Sequence, residues 1–166
     1  MKNDAKNILL SFDPGIRKTG YAVFYGESLV EHGMITSKKG EVDIGSISAI
    51  FAKHPITDVA IEDQYLQHNF YSAKQLSAWR GMLEGVARTH GVSRIHRVYP
   101  KTWQSTTLGK GCGQLKREYV KKESKRMAEL LYNIKITSTD VADAILIGTH
   151  TAKRLVYERK YAAANG

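Results

Sequence analysis

The stretch Ile8-Leu9-Leu10-Ser11-Phe12-Asp13-Pro14-Gly15 decides how this chain is read. Its five leading residues form an apolar run of strand length, bounded by turn residues, so they predict a buried strand. Asp13 closes that run at the Pro14-Gly15 turn. Working outward, Gly20 to Tyr25 and Leu29 to Ile35 read as two more strands, joined at Gly26-Glu27 as a hairpin. Residues 43–53 read as a short helix, with Pro55 just beyond its end. Asp58 to Glu62 is a fourth strand, buried by composition, and it too ends in an acid. A charge ending such a strand must reach water, a partner or a cation.

Residues 70–90 predict a long amphipathic helix with Leu76, Trp79, Leu83 and Val86 on one face and Gly91 as its stop. Ile95 to Tyr99 is a fifth strand, ended by Pro100. Residues 100–113, with glycines at 109, 111 and 113, read as a mobile loop. Gln114 to Tyr132 follows as a basic helix. Thr137-Ser138-Thr139 offers an N-cap for a last helix from Asp140 to about Arg159. The order predicts an α/β fold: a mixed five-stranded sheet, three antiparallel strands and then parallel ones, with helices on both faces. One domain is expected over residues 1–160, with a frayed tail at 161–166. In such a sheet the first and fourth strands can lie side by side, which would bring Asp13 to Glu62. Asp140 and Asp143, three residues apart at a helix start, share one helix face.

The 166 residues, 42% of them hydrophobic, suit one globular domain, and the formal charge is +9. The excess is concentrated. Between Arg94 and Arg126 lie ten Lys and Arg against two acids, Glu118 and Glu123. Such a surface attracts phosphate backbones by counterion release. One cysteine, Cys112, excludes an internal disulfide and an all-cysteine zinc site, and the six histidines show no zinc spacing. No apolar run approaches a membrane span and no signal-peptide pattern opens the chain, so a reduced, cytoplasmic protein is expected. Four carboxylates at element ends, in a chain this basic, point to a Mg²⁺ site acting on a polyanion. Two divalent ions about 4 Å apart would activate a water and stabilise the leaving oxygen of a phosphodiester.

The segments Asp13-Pro14-Gly15-Ile16-Arg17-Lys18-Thr19-Gly20-Tyr21-Ala22-Val23, Ala60-Ile61-Glu62 and Asp140-Val141-Ala142-Asp143-Ala144 resemble the RuvC family of Holliday-junction resolvases, within the ribonuclease H-like superfamily. Leu76-Ser77-Ala78-Trp79-Arg80-Gly81 is similar to that family's long helix, and the short chain suits a phage-type member acting in a host cytoplasm. The resemblance implies a homodimer that nicks two opposed strands of a four-way junction during recombination and repair. It implies two Mg²⁺ per site, replaceable by Mn²⁺, held by Asp13, Glu62, Asp140 and Asp143. Lys116 matches a basic residue that assists the chemistry, and Tyr65 an aromatic that wedges at the junction centre. The family's second lysine falls at Trp103, so either Lys101 substitutes for it or Trp103 stacks on DNA. Arg17, Lys18, Lys101, Lys110 and Arg117 are the expected backbone contacts.

Three other readings compete. A branched-DNA binder that has lost catalysis would not need all four acids. Ribonuclease H action on RNA–DNA hybrids is disfavoured by the late Asp-x-x-Asp pair. A sugar-kinase-like ATPase needs a second domain for which 166 residues leave no room.

Overall fold

The computed structural model describes residues 7–37, 41–63 and 70–165. The first three strands are β1 (Ile8–Asp13), β2 (Lys18–Tyr25) and β3 (Ser28–Thr36), followed by α1 (Ile44–Lys53), β4 (Asp58–Glu62), α2 (Phe70–Thr89) and β5 (Arg94–Val98). Then come α3 (Pro100–Thr107), a 3₁₀ turn at Cys112–Gln114, α4 (Arg117–Tyr132) and α5 (Thr139–Asn165). The sheet order is β3-β2-β1-β4-β5. β1, β2 and β3 pair antiparallel, while β1–β4 and β4–β5 pair parallel. This is the expected mixed sheet, with its most apolar strands, β1 and β4, buried between helical layers.

Strand alternation assigns the faces. Leu10, Phe12, Val59 and Ile61 pack with Ile47, Ile50 and Phe51 of α1 and Leu83, Val86 and Ala87 of α2. Leu9, Ala22, Phe24, Ala60 and Val98 face the other way, toward Trp103, Ala128 of α4 and Val141, Ala142, Ile145 and Leu146 of α5. Asp13 and Glu62 are in phase with Leu9 and Ala60, so both point to the α5 side. The β1–β4 register, Phe12 opposite Ile61, sets the two acids next to each other. No helix among the described residues is long and apolar enough to cross a membrane.

Two expectations from sequence are corrected. Residues 100–107 form a helix rather than part of a loop, with Pro100 at its first position. Only Trp103 of that helix is buried, so no apolar stripe announces it. Tertiary docking of one indole holds it instead. The irregular stretch is limited to the segment around Gly109 and Gly111, which both adopt positive φ. The last helix also runs past Arg159 to Asn165, where the alanines at 162–164 are strong helix formers.

Candidate active site

Each acid is placed by a local device. Asp13 is the last residue of β1, opposite Gly20 of β2. Glu62 is the last residue of β4 and is 7% exposed. Ser138 caps α5: its hydroxyl accepts from the Asp140 N–H at 3.2 Å and its carbonyl from the Ala142 N–H at 3.2 Å. Buried Ser11 ties that helix to the sheet, its hydroxyl lying 2.7 Å from the Ala144 carbonyl and 3.2 Å from that of Ala22. The outcome is one cleft of about 940 Å³ lined by Asp13, Glu62, Asp140 and Asp143. Among the described residues six cationic side chains share its walls: Arg17, Lys18, Arg80, Lys101, Arg117 and Lys121.

The carboxyls repel one another. Burial, then the charges of Glu62, Asp143 and Asp140, hold Asp13 well above the usual carboxylate range, with Lys121 opposing. Burial pushes Asp143 up to about 7, an effect that Glu62 and Asp140 add to and that the Ser124 hydroxyl and Lys121 counter. Asp143 Oδ1 and Ser124 Oγ are both buried without completing a hydrogen bond, although the hydroxyl lies near enough to favour the ionised carboxyl. Lys121 Nζ sits 3.8 Å from Asp140 Oδ1, with both side chains about a third exposed, so solvent screens that pair. Trp103 Nε1 donates to Glu62 Oε2 at 2.7 Å in a buried contact.

Such an all-oxygen set suits a hard divalent cation, which would relieve the repulsion and engage the orphaned Asp143 oxygen. Among the described residues no three acidic, histidine or cysteine side chains already converge on one ion position. Ligation would therefore turn one or more of these carboxylates about their side-chain torsions.

Arg17, Lys18, Lys101 and Arg117 are exposed along the cleft, while Lys110 and Lys116 are exposed outside it. Trp103 is corrected: at 1% exposure it has no ring face open to a DNA base. Tyr65 lies outside the described residues. Asp63, the residue after Glu62, pairs with Arg80, which also approaches Glu84 at 3.7 Å. Arg97 grips Glu84 with two bonds of 2.8 and 2.9 Å. Sequence reasoning passed over Lys121 and Ser124. The signal available was their spacing: residues 121, 124 and 128 fall on one stripe of α4, and Ser124 and Ala128 are buried.

Comparison with known proteins agrees with this architecture. The family model described as crossover junction endodeoxyribonuclease RuvC matches residues 9–150. A protein of that name from Sulfurovum sp. is 27% identical over 164 residues, covering 92% of this chain and 99% of the relative. Among solved structures, Thermus thermophilus RuvC in complex with Holliday junction substrate superposes with a TM-score of 0.68 at 18% identity, over 87% of this chain and 91% of that one. Fowlpox virus resolvase with substrate Holliday junction DNA gives 0.55 at 14% identity, over 89% and 98%. At such identities the two superpositions speak to the fold, a ribonuclease H-like sheet. The match over 9–150 goes further: this chain belongs to the RuvC family of crossover junction endodeoxyribonucleases.

Proposed function

We propose that this protein is a structure-selective endonuclease that resolves Holliday junctions by hydrolysing phosphodiester bonds on two opposed strands. The observation that supports it most is a cleft that four carboxylates line together with, among the described residues, six cationic side chains, in a chain of this family. Asp13, Glu62, Asp140 and Asp143 are the side chains that would hold two divalent cations, with Mg²⁺ the expected ion and Mn²⁺ a substitute. When bound, such cations supply an activated water and charge stabilisation at the leaving oxygen.

The chain's own residues do the rest. Arg17, Lys18, Lys101 and Arg117 hold the phosphate backbone against the cleft, Lys110 and Lys116 extend the DNA contact beyond it, and Tyr65 is a further DNA contact that the family resemblance implies. Lys121 stands beside Asp140, where it offsets negative charge near the scissile phosphate. Two copies of the chain, related by a twofold axis, would set two such clefts on opposed strands of a junction.

Asp13→Asn is the direct test. The variant is expected to bind a synthetic four-way junction as the wild type does, yet to fail to nick it in Mg²⁺. Nicking by that variant at the wild-type rate would remove the catalytic assignment. Preferential cutting of an RNA–DNA hybrid by the wild type would redirect it to ribonuclease H chemistry.

A further inference from the structure

We infer that Trp103 is a positioning residue for Glu62, and that its indole N–H sets how tightly the carboxylate cleft binds divalent cations. The inference rests on Glu62 serving as a cation ligand, as proposed above.

The contact is built rather than incidental. Trp103 is among the largest fully buried side chains of the protein and belongs to the same apolar cluster as Leu9, Ala60 and Val98. Its backbone is pinned in α3: the Trp103 N–H reaches the Tyr99 carbonyl at 3.3 Å, and the Thr107 hydroxyl donates to the Trp103 carbonyl at 2.7 Å. A rigid two-torsion side chain fixed at both ends therefore presents one N–H, 2.7 Å from Glu62 Oε2. A buried hydrogen bond from a neutral donor to a carboxylate is strong and directional.

The chemistry of this donor matters. An indole N–H donates only and does not ionise, so it orients a carboxylate without neutralising it. A lysine in the same place would hold Glu62 too, but its charge would compete with a cation. The indole fixes the direction of one oxygen and adds no positive charge to the cleft. Groups of this kind, one step removed from the ion, tune metal sites by orienting their ligands.

Two variants of the full chain test the idea. Trp103→Phe keeps an aromatic ring and deletes the donor. Replacing Trp103 by β-(3-benzothienyl)alanine keeps the bicyclic shape and exchanges only N–H for sulfur, which covers the case in which the smaller phenyl ring unsettles the fold. Calorimetric titration of the cation-free proteins with Mn²⁺ is expected to show affinity about 10–100-fold below wild type in both variants. Nicking of a four-way junction should need correspondingly more Mn²⁺ for half-saturation, while junction binding in EDTA stays at the wild-type level. Wild-type Mn²⁺ affinity in the benzothienyl variant would overturn the inference, because the ring's packing would then suffice. Absence of Mn²⁺ binding by the wild type would overturn it as well. A wild type that binds Mn²⁺ but nicks no junction would instead end the proposed function, and the two affinities would still decide the role of Trp103.

Discussion

Lys116 and Lys121 are five residues apart in a basic segment, and the fold separates them. Lys116 is the exposed N-cap residue of α4. Lys121 looks into the cleft and counters the raised proton affinity of Asp13 and Asp143. Lys121→Met is accordingly expected to slow junction nicking by roughly 10–100-fold at saturating Mg²⁺. Lys116→Met should leave the saturated rate nearly unchanged and weaken junction binding most at low salt, with a salt dependence shallower than the wild type's. Single-turnover rates and binding isotherms on the two variants separate these effects, and equal loss of rate in both would contradict the division. The four acids could be found in the sequence because each borders an apolar run, where a charge demands an explanation. The right lysine could not. Ten cations between residues 94 and 126 look alike until it is known which stripe of α4 faces the sheet.

At the scale of elements, the approach of α5 to β2 positions two of the four acids. Gly20 lies across the ladder from Asp13, and a Cβ there would run into the Asp140 carbonyl. Gly20→Ala should push away the first turn of α5, costing about 1–3 kcal/mol by the usual penalty for overpacking. Nicking should fall with it, since Asp140 and Asp143 move together. Gly26→Ala is the control: the hairpin glycine has φ +66 and open space around it. That change should cost about 1 kcal/mol in backbone strain and leave nicking intact. Urea denaturation and a nicking assay on both variants check the contrast. The strands, the hairpin and the long helices were legible because their apolar periods are complete within each segment. α3 was not, because its stability comes from one buried ring that reaches a distant strand end. A Ser/Thr/Lys-rich segment with a single large apolar residue looks the same whether that residue docks or not.

For the molecule as a whole, the acid cluster links proton and cation binding to stability. The carboxyl of Asp143 moves from an ordinary 3.8 to about 7 on folding, and that of Asp13 is raised too. The folded protein therefore retains a proton that the unfolded chain has already released between those values. Stability from this source is fully present below about pH 4 and is lost as pH rises toward about 7. In EDTA at about pH 8, Asp143→Asn should thus melt above the wild type, by on the order of 5 °C, with the difference closing near pH 4. Saturating Mg²⁺ should raise the wild type more than the variant. Calorimetric scans across pH would refute this if the two proteins kept the same offset throughout. The sequence by itself determined the order and type of most elements, the neighbouring strand ends that carry Asp13 and Glu62, four acids at element ends and a charge suited to DNA. Those properties follow from periodicity and from the cost of burying charge, both of which act within short stretches of chain. Only the tertiary structure decided that Lys121 rather than Lys116 meets the acids, that Trp103 serves Glu62 instead of a base, and that a glycine admits α5. Such pairings depend on how closely and at what rotation separate elements pack, and no single segment carries that information.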